Sequence, residues 1–134
     1  RIVYAIGGRL HTRRLDQLET VTLAGTEGAI EPIISPDGSR LGYVQDRKLK
    51  VRSFDADAVT VLADVFDVFG ASWADDGRIL FAQRAQVLAV PAGGGASSVL
   101  YDAGENASVH GPQLLPGGES LLFTRRQGVV QGGN

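Results

Sequence analysis

Short apolar runs, several of them alternating with polar positions, recur along the chain, and none keeps up the 3.6-residue period of a helix. Residues 1–6 (RIVYAI) are β-branched and aromatic and close on Gly7-Gly8, which predicts a strand and a hairpin turn, with residues 9–15 as the return strand. Residues 19–23 (ETVTL) predict a third strand that ends in a loop carrying Gly25 and Gly28. Leu49 and Val51 then alternate with Lys48, Lys50 and Arg52, the pattern of a strand buried on one face and solvated on the other, and residues 59–62 predict the strand after it. The same succession returns at 78–83, 87–90, the Gly93-Gly94-Gly95 turn and 98–101. It begins once more at 113–115, 120–125 and Val129-Val130. Helices would have to carry many of the 18 glycines and 5 prolines in their interiors, at about 1 and about 3 kcal/mol each. The fold class is therefore all-β.

These strands are not independent of one another, because the stretch 31–44 (EPIISPDGSRLGYV) has two imperfect copies, 70–82 (GASWADDGRILFA) and 111–124 (GPQLLPGGESLLFT). Their turn glycines, Gly38, Gly77 and Gly118, lie 39 and 41 residues apart. Each copy consists of a short apolar strand (Ile33-Ile34, Ser72-Trp73, Leu114-Leu115), a tight turn (Pro36-Asp37-Gly38, Asp75-Asp76-Gly77, Pro116-Gly117-Gly118) and a second strand closed by an aromatic (Tyr43, Phe81, Phe123). Proline presets φ in such a turn, aspartate bonds its own backbone and glycine accepts positive φ, so Gly38 is expected there. A period near 40 with strand content is that of β-propeller blades of four antiparallel strands; a sandwich or a barrel would need no such period. The blades are expected at 31–69 and 70–110, with an incomplete blade at 1–30 and the start of a further one at 111–134, about three blades' worth in all.

Composition narrows the function classes. Hydrophobic residues make up 43% and charged ones 21%, ordinary for a globular domain, and a net charge of −2 offers neither nucleic acid nor an anionic membrane a basic face. The absence of cysteine rules out disulfides and thiolate metal sites and leaves the compartment open. No apolar run is long enough to span a membrane as a helix, so no direct membrane insertion is expected. There is no methionine, even at position 1, and the chain is expected to be a piece of a longer product.

The segment SPDGSRLGYV resembles the signature of TolB-like, or PD40, β-propeller repeats, in which a Ser-Pro-Asp-Gly hairpin joins the two innermost strands of a blade. The longer run 13–51 is similar to the propeller region of many bacterial serine/threonine protein kinases, whose pattern Arg14, Leu15, Asp16, Leu23, residues 25–29, Pro32, residues 35–38, Leu49 and Lys50 match. The copies at 70–82 and 111–124 and the segment VLAVPAGGG fit the same family, with departures at Ala74 and Gly117 that weaken those turns. The resemblance implies a non-catalytic sensing or protein-interaction module with an extracytoplasmic location, its ligand a protein, a peptide or a cell-wall fragment held over the mouth of the central channel. A second reading is a regulatory propeller segment of a prolyl-oligopeptidase-like hydrolase, and a third an envelope interaction protein like TolB.

Residue by residue, catalytic chemistry is sparse. His11 and His110 are the only histidines and lack the company of further ligands; Asp75-Asp76-Gly77 supplies too few oxygens at set spacing for calcium. Ser35 has no Gly-x-Ser-x-Gly elbow, and the three glycines at 93–95 lack the lysine and helix of a phosphate loop. Trp73 stands where the other copies have Ile34 and Leu114, which reads as core. Neither a metal nor a cofactor is expected, nor an enzymatic role for this segment. The ligand-binding candidates are Glu31, Ser72, His110 and Gln113, which the inner-strand motif should bring toward the channel mouth. An open arc of blades would expose strand edges, so a homodimer completing a six-bladed ring is expected, or completion by other blades of a parent protein.

Overall fold

The computed structural model describes residues 1–128, which contain thirteen β-strands and no helix. The strands form four antiparallel sheets in which every neighbour in space is a neighbour in sequence, two of them complete four-stranded meanders of the kind that make propeller blades. By contacts the chain divides into two compact units, Arg1–Val65 and Phe66–Asn134.

The first unit holds β1 (Ile2–Ile6), β2 (Arg9–Arg13) and β3 (Thr20–Thr22) in one sheet, and β4 (Ile30–Ile34), β5 (Arg40–Gln45), β6 (Lys48–Ser53) and β7 (Val59–Asp64) in the next. Gly7-Gly8 joins β1 to β2 with φ of 61° and 76°, and Asp46-Arg47 joins β5 to β6 with φ of 53° and 59°. Both are two-residue turns with two left-handed residues, the arrangement that follows the natural twist of a hairpin. Leu10 of β2, Leu23, Ala29, and Leu41 and Tyr43 of β5 form one buried cluster, so the two sheets share a core. Thr26 pins the loop between them: its buried hydroxyl donates to the Leu23 carbonyl at 2.7 Å and accepts from the Leu10 amide at 3.0 Å.

Arg52 corrects the expectation of a solvated face on β6. It is only 6% exposed, with its guanidinium donating to the carbonyls of Ala24 (2.9 Å) and Ser53 (3.3 Å) and to Asp57 (3.4 Å). The loop at residue 24 covers this face of the strand, and its carbonyl replaces the water that a buried cation would otherwise lose.

The second unit holds β8 (Val68–Trp73), β9 (Arg78–Gln83), β10 (Gln86–Pro91) and β11 (Ser98–Asp102) in one sheet and β12 (Ala107–Leu114) with β13 (Leu121–Gln127) in another. Its core has two clusters: Ala74, Leu80 and Ala89 packed by Leu114 and Leu121, and Ala82, Val87 and Val109 packed by Tyr101 and Phe123. The rings of Tyr101 and Phe123 approach to 4.6 Å between centroids. Tyr43 and Phe81, which close two copies of the repeat, are buried, and Trp73 is half-buried opposite Ile79. Strands β8 and β12 begin upstream of Gly70 and Gly111, where the repeat motif opens. The expected strand at Val129-Val130 and the Gly-Gly-Asn end lie outside the described residues.

Candidate functional site

The first strand of each repeat carries the same irregularity. In β4, Glu31-Pro32 stand opposite the single residue Tyr43; in β8, Phe69-Gly70 stand opposite Ala82; in β12, Gly111-Pro112 stand opposite Phe123. Each is a β-bulge, which bends the strand and re-aims its side chains. Glu31, Gly70 and Gly111 keep the repeat spacing of 39 and 41 residues, and all three are left-handed, with φ of 54°, 100° and 59°. Glycine adopts that backbone freely, whereas it costs glutamate about 1 kcal/mol. Glu31 is half-buried, and no hydrogen bond or ion pair to its carboxylate is found among the described residues.

The other candidates sit on β8 and β12, strands that pack against each other within the second unit. Ser72 is half-buried and its hydroxyl donates to the Pro112 carbonyl at 2.5 Å, a bond that ties β8 to β12. His110 shares a hydrogen bond with Ser108 through Nε2 at 3.2 Å, and its ring lies 4.9 Å from that of Phe69. Gln113 is exposed, opposite Leu122 of β13. The structure thus brings Ser72, His110 and Gln113 onto two adjoining strands, while Glu31 lies at the equivalent point of the other unit. Phe69, 42% exposed, was not singled out by the sequence. The signal was available in the repeat spacing, which makes it the counterpart of His110 and of exposed Ile30.

The hairpins after these strands differ in a graded way. In the first copy Asp37 Oδ1 accepts from Ser35 Oγ (2.7 Å), the Ser39 amide (3.0 Å) and Ser39 Oγ (2.7 Å), while Ser35 Oγ accepts from the Arg40 amide at 2.9 Å. The Ser35 bond above all, with the two from Ser39, holds the carboxyl pKa down to about 2. In the second copy Asp76 accepts from the Arg78 guanidinium (3.0 Å) and amide (3.1 Å), and the guanidinium bond above all lowers its pKa as well. In the third copy Gly117 stands in place of the aspartate, so the turn rests on backbone alone. Gly38, Gly77 and Gly118 have φ of 77°, 90° and 75°, the positive values such turns require. These aspartates serve their own turns, and among the described residues no three His, Asp or Glu side chains converge as a metal site.

No protein-family model matches the chain, and no curated protein matches it either.

Proposed function

We propose that the chain is a run of TolB-like propeller blades acting as a non-catalytic binding or sensing module, of the kind found in receptor-like bacterial kinases, with protein or peptide segments engaged by the first strands of the repeats within each unit. The observation that carries this reading is Glu31. A glutamate held in the left-handed region, at a position where both other copies have glycine, keeps a side chain at a cost to stability. Its carboxylate serves no partner among the described residues. Such a residue is better explained by what it offers a ligand than by what it does for the fold. Exposed Phe69 beside His110 supplies an apolar surface of the sort that anchors peptides.

The test is a selection of random displayed peptides on the purified chain, followed by affinity and melting measurements on variants. Glu31→Gly is expected to weaken selected peptides that engage β4 while leaving the chain as stable or more so, and Gln113→Ala to weaken those that engage β12 with little change in melting temperature. If Glu31→Gly stabilises the chain and every selected peptide binds as before, this reading fails.

A further inference from the structure

A second site lies in the Phe66–Asn134 unit, built from three connections that no motif or spacing associates. A cleft of about 370 Å³ is lined by Phe66, the β9–β10 turn with its flanking Gln83 and Gln86, and Asp102, Gly104 and Glu105. This is within the size range of ligand clefts. Its walls are fixed by bonds of their own. The Phe66 amide donates to Gln83 Oε1 at 3.0 Å, and the Val109 amide to the Arg84 carbonyl at 2.9 Å. Gln86 Nε2 and the Gly104 amide both donate to the Asp102 carboxylate, at 3.0 and 2.8 Å.

The chemistry of the lining points to a cation. Phe66 remains 43% exposed although the Arg84 guanidinium already lies over its ring, 4.6 Å from the centroid. The ring therefore holds one cation and has surface left for the stem or head of another. Arg84 is neutralised by Asp67, whose Oδ2 lies 3.5 Å from its Nε. Asp102 has only uncharged donors, and the Glu105 carboxylate has no partner among the described residues. Two negative charges thus stand uncompensated beside an exposed aromatic ring in a partly enclosed space.

We infer that this cleft takes the basic side chain of a peptide, arginine or lysine, with its aliphatic stem along Phe66 and its head between Asp102 and Glu105. None of Glu31, Ser72, His110 and Gln113 lines it, so the inference stands or falls apart from the proposed function.

The probe is the tripeptide acetyl-Gly-Arg-Gly-amide, titrated into the isotope-labelled full chain and followed by amide chemical shifts, with the uncharged citrulline tripeptide alongside. Saturable shifts at Phe66, Gln86, Gly104 and Glu105 are expected with the arginine peptide alone. Half-saturation should rise about threefold or more in Glu105→Gln, as for loss of one partly exposed charge partner, and again in high salt. Phe66→Leu, which keeps the apolar volume, should weaken binding too. Equal binding of the citrulline peptide, an unchanged affinity in Glu105→Gln, or shifts confined to other residues would overturn the inference.

Discussion

Gly70 and Gly111 lie backbone to backbone: a Cβ placed on Gly70 would stand 2.7 Å from the Gly111 amide nitrogen and 2.8 Å from its Cα. The two bulges of β8 and β12 are therefore packed through their main chains, and the Ser72 bond to Pro112 closes the same junction. Gly70→Ala must either push these strands apart or distort a backbone at φ 100°, and should cost about 2 kcal/mol or more. Gly111 has the same left-handed character at φ 59° but open space where its Cβ would go. Gly111→Ala should cost only about 1 kcal/mol. Denaturant melts of the two variants check the ordering, and equal losses would show that the close approach does not matter.

The hairpin at Asp46-Arg47 offers the reverse effect. Both residues are left-handed, and glycine is the preferred second residue of such a turn. Arg47 is exposed, so Arg47→Gly removes backbone strain with little packing to lose. A gain of up to about 1 kcal/mol is expected in the same melts. A loss would mean that the arginine side chain contributes contacts beyond its turn.

Asp37 makes stability depend on acid. Its folded pKa, about 2, lies below its ordinary value of 3.8. The native state thus holds its proton less tightly than the unfolded chain, and the contribution is present in full above the ordinary value and is lost as pH falls through the folded one. Asp37→Asn retains an oxygen for Ser35 and Ser39 but cannot titrate. Between pH 5 and pH 2.5 the wild-type melting temperature should therefore fall further than that of Asp37→Asn. Parallel curves for the two would place the acid sensitivity elsewhere.

The repeated hairpins were legible because their causes are local: Ser35 and Ser39 bond the Asp37 carboxylate and the Gly38 amide bonds the Ser35 carbonyl, all within five residues of chain. The start of β8 was not, because Val68 and Phe69 precede a left-handed glycine that breaks the alternation and makes them read as loop. Arg52 was misread for a different reason. The shortest of its three bonds is to the carbonyl of Ala24, and a side chain's cover by a segment so distant in sequence leaves no periodic trace. The candidate site divides the same way: Glu31, His110 and Gln113 could be named from their place in the repeat. The pairing of Phe66 with Arg84 emerges only when the turn at 84 is drawn against the connections on either side of it.

The last expectation concerns the edge at β1. Its turn, Gly7-Gly8, matches Asp46-Arg47 at the repeat step of 39, so β1 corresponds to β5. Strand β5 is flanked by β4 and β6, but β1 pairs with β2 alone among the described strands. The far side of β1 thus presents free amides and carbonyls beside exposed Ile2 and Ile6, a template for another strand. A polypeptide of this sequence made by itself should use that edge to bind a second copy. Light scattering should then give about twice the 14.1 kDa chain mass. Ile6→Lys sets a charge at the edge, which is how natural sheets discourage such pairing, and should shift the population toward monomer. A wild-type chain that stays at 14.1 kDa and unfolds cooperatively at high concentration would refute the association. A dimer unmoved by Ile6→Lys would place the contact on another strand.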